Sequence, residues 1–434
     1  MTLRVKLKSL PIAAPKIFAM IFAIVIALIP VRSWAQLPSG AISPAQVQQI
    51  VAGIQVLREL KFKSKVPISY LTPDQVEVRL RAEIARDKRN QILDLEAKAG
   101  AMLGLYPPNF DIAASALAML KAQLGGFYDL HKKDLVIVES PLRKGSSITR
   151  MEKLETINVI AHELTHGLQD QNFTIGTTLD KMKNDDDRSV AISAVVEGDA
   201  TLAGFGFIAG GMDDRVLDQF VKHIPDMEKE FAEKTRDVPL GVREPFIFQY
   251  MYGARFVAEA WHRDGWSGVD ALYAHPPLSS QQIMNPWMYF DRSSPRPEVH
   301  LAGYERVLKD WKQAEVSSLG ELLLRVVIES TLGKDSSYVA LANAWGGDSN
   351  VILTSGKSVT DLWLVAFTND ESAETFADAY GSALDKINGA RTPHRIERNG
   401  REVFVAVGDG TARLHEVVPE VWKESTVTAV PVAP

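Results

Sequence analysis

The segment His162-Glu163-Leu164-Thr165-His166 lies inside an apolar run from Ile157 to Leu168, and it limits what this chain can fold into more than any other. A helix advances about 100° per residue, so side chains four apart share a face. His162 and His166 then present two neutral imidazoles to one metal ion, with Glu163 beside them to take a proton from a metal-activated water. With 9 His in 434 residues, chance supplies this spacing in roughly one such chain in a hundred. The context adds weight. Leu154, Ile157, Ala161, Leu164 and Leu168 recur every three or four residues, the stripe of a buried helix. Thr149 to Glu152 fits a capping box at its start. Asn158, His162, His166 and Asp170 form a polar row beside Val159–Ala161. An ordinary amphipathic helix turns such a row to water; two imidazoles at ligand spacing turn it to a cleft.

A hydrolytic zinc site normally has three protein ligands and a water. The pattern with Gly and His at positions 169 and 172 is excluded, because those residues are Gln169 and Asn172. A carboxylate on a later helix remains, and Glu197 follows small and apolar residues from Ser193. A carboxylate buried there is costly unless it is paired or coordinates a cation. Glu197 is the expected third ligand; a helix-terminal Glu solvated beside Gly198 is the plainer alternative.

The stretch Asn158-Val-Ile-Ala-His162-Glu-Leu-Thr-His166-Gly-Leu-Gln-Asp170 resembles the active-site helix of the thermolysin-like gluzincins, including an Asp four residues after the second His. Glu197-Gly-Asp-Ala-Thr201, Gly126-Phe-Tyr-Asp129 and Pro276-Pro-Leu-Ser-Ser-Gln-Gln-Ile283 are similar to segments of poorly characterised secreted bacterial H-E-x-x-H proteins. The resemblance implies a zincin-like fold, Zn2+ held by His162, His166 and Glu197, and Glu163 as general base. Two departures stand out. Glu197 follows His166 by 31 positions, a longer gap than thermolysin's, and Thr201 stands where thermolysin has an Asp. Support for the first His then falls to Asp199. Gluzincins also use a Tyr or His against the transition-state oxyanion, for which Tyr252, His262 and His275 are candidates. Zincins place an edge strand just before the metal helix, and Leu135 to Val138 is the candidate here, a core strand being equally compatible.

Residues 1–35 read as a secretory signal: Arg4, Lys6, Lys8 and Lys16, then an apolar core from Ile17 to Val31, then Ser33-Trp34-Ala35 for cleavage near Ala35. An uncleaved anchor is the alternative. The expected setting is secreted or periplasmic in a bacterial envelope. There is no Cys, so no disulfide frame or lipid attachment at Cys, and metal ligands must be His and carboxylate. Without residues 1–35 the chain keeps 43 basic against 54 acidic residues, a net charge of −11. That balance argues against nucleic acid as a partner. No later stretch reads as a membrane span.

Along the chain, Pro44 to Leu60 reads as a helix starting at a Ser, and Lys61 to Leu71 as a connection. Thr72-Pro73 opens a long helix to Lys98 or beyond, and another helix falls within Ala113 to Leu124. Phe127-Tyr128 and Leu135–Val138 read as a hairpin. Asn172 to Arg188, with Asp185-Asp186-Asp187, reads as a solvated loop rather than a calcium site, and Phe205 to Gly211 as a turn rather than a phosphate cradle. Phe246 to Asp264 is a helix, followed by a Gly- and Pro-rich stretch to Pro286. A break from Pro295 to Ser317 precedes helix 320–345, strands 351–354 and 361–367, helix 372–387, strand 401–407 and a loose tail from Val427.

The expected class is α+β and zincin-like, mostly helical with a small antiparallel or mixed sheet. The metal domain spans residues 36–300 (helical over 44–124), and a smaller α+β module spans 315–425. The expected function is a secreted zinc metallopeptidase acting on peptide or protein substrates. A non-catalytic zincin-fold envelope binding protein and a metal-dependent hydrolase of a non-peptide bond are the alternatives.

Overall fold

The computed structural model describes residues 42–86, 93–112, 114, 115, 117, 125–138, 150–176, 178, 185–291, 296–389 and 392–430. The expected signal at 1–35, Thr149 of the capping box and most of the 113–124 helix lie outside the described residues.

Helix α1 (Pro44–Leu57) begins as its sequence dictates. Ser43 Oγ accepts from Gln46 N at 3.3 Å, Gln46 Oε1 accepts from Ser43 N at 3.0 Å, and Pro44 takes the first helical position. Strand β1 (Ile68–Leu71) lies in what reads as a connection. Helices α2 (Pro73–Arg86) and α3 (Leu93–Leu103) follow as two elements, on either side of residues 87–92 outside the described set.

Strands β2 (Gly126–Asp129) and β3 (Asp134–Val138) form the expected antiparallel hairpin, and β1 pairs parallel to the other side of β3. The order β1-β3-β2 makes Leu135–Val138 the middle strand, which corrects its reading as the edge beside the metal helix. The reason is in its composition: Leu135, Val136 and Ile137 are all buried, an unbroken apolar run of the kind covered on both faces. Among the described residues, the outer strand of this sheet next to the helix carrying His162 and His166 is β2.

Two long helices, α4 (Arg150–Phe173) and α5 (Asp186–Ala209), form the centre. By length and composition α5 would suit a bilayer, but 89% of its apolar window is buried among the other helices. Asp185 caps it, its side chain accepting from Arg188 N at 3.0 Å. The triple-Asp segment is therefore a helix start rather than a loop, and Asp187 is fully buried, accepting from Ser280 N at 2.9 Å. Phe205 to Ala209 is the end of this helix rather than a turn, and Gly210 closes it with φ 86°.

Around α5 pack α6 (Asp214–Lys234), α7 (Leu240–Ile247), a π-helical turn (Phe248–Tyr252), α8 (Gly253–Ala274) and α9 (Ser280–Met284). Helix α8 runs ten residues past the expected end at Asp264, bending where Asp264 and Gly265 leave helical geometry. The expected Gly- and Pro-rich connection is thus helical over most of its first half.

The region read as a break holds two strands, β4 (Arg296–His300) and β5 (Lys312–Ser317). The expected 320–345 helix is two helices, α10 (Gly320–Leu332) and a short one at Ser336–Ala342, because Gly333 at φ 92° ends the first; β6 (Trp345–Ser355) follows. Then come β7 (Ser358–Phe367), α11 (Asp370–Asn388), β8 (His394–Asn399), β9 (Glu402–Gly408) and α12 (Leu414–Glu424). The sheet runs β5-β6-β7-β9-β8, every pair antiparallel. Alternation along β6, β7 and β9 builds two cores. Ile352, Trp363, Val365, Val403 and Val405 face α10 and α11, while Val351, Leu362, Leu364, Phe404 and Ala406 face α12. Ala99, Met102 and Leu103 of α3 enter the first of these cores. The tail expected to be loose pairs instead, as β10 (Thr426–Val430) antiparallel to β4. The whole is α+β.

Candidate metal centre

Helix α4 turns His162 and His166 the same way, one turn apart, and α5 crosses it so that Glu197 meets both. His162 Nε2 lies 3.1 Å from His166 Nε2 and 3.2 Å from Glu197 Oε2, and the third side, His166 Nε2 to Glu197 Oε2, is 3.5 Å. This is a triangle of lone-pair-bearing atoms. Tetrahedral zinc with ligands at about 2.0–2.1 Å needs those atoms about 3.3 Å apart. The donor set and spacing therefore fit a zinc ion, and all three expected ligands are brought together.

The electrostatics of the protein alone ask for positive charge here. Burial works to lower His166, yet Glu197 and Glu163 lift it to about 10. Burial works to raise Glu197, and the two imidazoles outweigh it and hold its carboxyl well below the usual range. Glu163, one residue on from His162, does not join the triangle. Its Oε2 accepts the backbone N–H of Tyr128 on β2 at 2.9 Å. Burial raises its pKa, His162 and His166 oppose that, and Glu197 adds to it.

The π turn supplies a residue that the sequence reading missed. Tyr250 hydrogen-bonds Glu197, and its ring lies 6.1 Å from that of His162 at 24°. Burial, then Glu197 and Glu163, push its hydroxyl well above the ordinary value, so it is a neutral donor. Two glycines let this turn close on α5: a Cβ at Gly198 would strike the Gly253 carbonyl, and one at Gly253 would strike the Ala194 carbonyl. The Gly after Glu197 is therefore a spacer that brings Tyr250 to Glu197.

None of the three oxyanion candidates lies here. Tyr252 stacks on Phe248, with the Arg255 guanidinium 5.5 Å from its ring centre. His262 and His275 are exposed on and just after α8. Asp170 accepts from the Tyr128 hydroxyl at 3.1 Å and from Lys133 Nζ at 2.8 Å. The acid expected to support the first His is placed differently. Asp199 serves the second His, not the first, and does so through Gln169, whose Nε2 donates to it at 3.0 Å.

A family model described as a domain of unknown function (DUF8575) matches residues 305–430. The match covers the C-terminal sheet and leaves the His-His-Glu triangle outside it. No curated protein and no solved structure matches this chain.

Proposed function

We propose that this chain is a zinc metallopeptidase of the gluzincin kind, zincin-like in its α4–α5 half and exported by its N-terminal segment to the bacterial envelope or beyond. One observation carries the reading: two imidazole nitrogens and a carboxylate oxygen converge within ligand spacing, with a separate carboxylate, Glu163, beside them. Bound zinc would supply Lewis-acid polarisation of a carbonyl and a water made acidic near neutral pH.

The chain's own residues do the rest. Glu163 takes the proton from the attacking water and hands it to the leaving amine. Its hydrogen bond from Tyr128 N fixes its carboxylate on the strand side of the helix. The Tyr250 hydroxyl, hydrogen-bonded to Glu197 in the metal-free chain, would turn its proton to a carbonyl oxygen as that oxygen gains charge. An extended peptide would add along the outer edge of β2, beside the Tyr128 N–H that is given to Glu163. The test is cleavage of a denatured protein mixture by the purified full chain. Cleavage abolished by a chelator and restored by Zn2+ is expected; zinc-loaded protein that cleaves nothing contradicts the reading.

A further inference from the structure

Arg58, at the C-terminal end of α1, is fully buried, yet it belongs to no catalytic motif. Its Nε donates to Asp199 Oδ1 at 2.7 Å, and its Nη2 donates to Asp199 Oδ2 at 3.2 Å and to Asp270 Oδ1 at 2.7 Å. The guanidinium also lies 4.6 Å from the Trp266 ring centre. Tyr273 adds a hydroxyl donated to Asp199 Oδ2 at 2.7 Å. Asp199 thus faces donors from Arg58 and Tyr273 and acts as their acceptor.

That polarity propagates. Gln169 faces two acceptors, Asp199 Oδ2 and Val196 O, both 3.0 Å from its Nε2. Its amide nitrogen must point at them, so its Oε1 must point the other way, 2.8 Å from His166 Nδ1. An amide oxygen accepts only, so Nδ1 must carry the proton. When the ring is neutral its lone pair then sits on Nε2, the atom that faces His162 and Glu197.

We propose that Arg58 is a positioning residue for the metal centre: through Asp199 and Gln169 it fixes the His166 tautomer that offers Nε2 to a cation. The inference rests on the metal reading above. It makes α1 an integral part of the centre, because cutting α1 away removes the charge at the head of the relay.

The experiment measures the Zn2+ dissociation constant of the full chain by chelator competition, beside the melting temperature of the metal-free protein. Arg58→Gln, Asp199→Asn and Gln169→Met are each expected to weaken zinc binding about 10–100-fold, the usual cost of removing an outer partner of a metal ligand. Because they interrupt one relay, Arg58→Gln combined with Gln169→Met should bind no more weakly than the worse single variant. A purely structural Arg58 would lower melting of the metal-free protein and leave the dissociation constant within twofold, which overturns the inference. If Arg58→Gln does not fold, Gln169→Met decides, since it breaks the link while keeping the Arg58–Asp199 pair. Unchanged zinc affinity there is equally fatal. Wild-type protein that binds no zinc removes the metal reading and this inference together; wild-type binding with unaffected variants removes this inference alone.

Discussion

Both halves of the molecule bury carboxylates, and they treat them in opposite ways. In the C-terminal sheet, Asp348 is enclosed by donors: Ser318 Oγ, the backbone N–H groups of Leu319 and Gly320, and the indoles of Trp345 and Trp363, all within 3.0 Å. Every lone pair there has a proton, so the acid is a structural anchor tying α10 to β6 and β7. Around Glu197 the balance is reversed. Two imidazole nitrogens and a carboxylate oxygen point at one another within 3.5 Å, with the Tyr250 hydroxyl and the imidazole protons as the donors among them. Such a cluster has lone pairs to offer a cation that takes the place of those protons. The donor-to-acceptor balance, rather than burial itself, separates a site from a scaffold.

The comparison can be strained in four places. The largest effect is expected for Glu163→Gln, which leaves the triangle intact and removes the base. Zinc content should be unchanged while kcat falls about 10³-fold or more; retained turnover would show that Glu163 has another role. Next is Asp348→Ala, which strips the acceptor from buried indole and backbone N–H groups. Chemical denaturation should show a loss of about 3 kcal/mol or more, with zinc affinity unaltered. A loss below about 1 kcal/mol would mean the anchor is dispensable. Tyr250→Phe should then lower kcat about 10²-fold with little change in KM, whereas Tyr252→Phe should be nearly silent. Equal effects at the two positions would contradict the π-turn assignment.

The smallest effect concerns pH. Burial pushes Asp361 up to about 7, against a hydrogen bond from Asn350 Nδ2 of 2.5 Å. The folded chain therefore keeps this proton to about pH 7, while the unfolded chain releases it near 3.8. The stabilisation is complete below that ordinary value and is lost as pH climbs through the folded one. Asp361→Asn should thus exceed wild type at pH 8 by on the order of 2 kcal/mol, the gap closing towards pH 4. A pH-independent difference in thermal melts would refute this assignment.

The His-His-Glu triangle was legible because helical spacing fixes His162 and His166 without tertiary help, and because an acid following Ala194-Val195-Val196 has few other uses. Tyr250 was not legible. Two residues apart, Tyr250 and Tyr252 look alike in sequence, and only the extra residue of the π turn decides which one faces Glu197. The edge strand was misjudged because a local run cannot show that β1 arrives from the far side of β3. Likewise β4 and β10 pair across most of the C-terminal half, 134 positions apart where Val430 meets Arg296, a long-range pairing no window of sequence contains. The Arg58 relay was invisible for the same reason: its members come from α1, α4, α5 and α8.

Metal analysis of the purified full chain beside His166→Ala tests the account most directly. One zinc per wild-type chain, removable by a chelator, and essentially none in a folded variant is the predicted result. A wild-type chain free of zinc after loading, or a variant that binds it equally well, would contradict it.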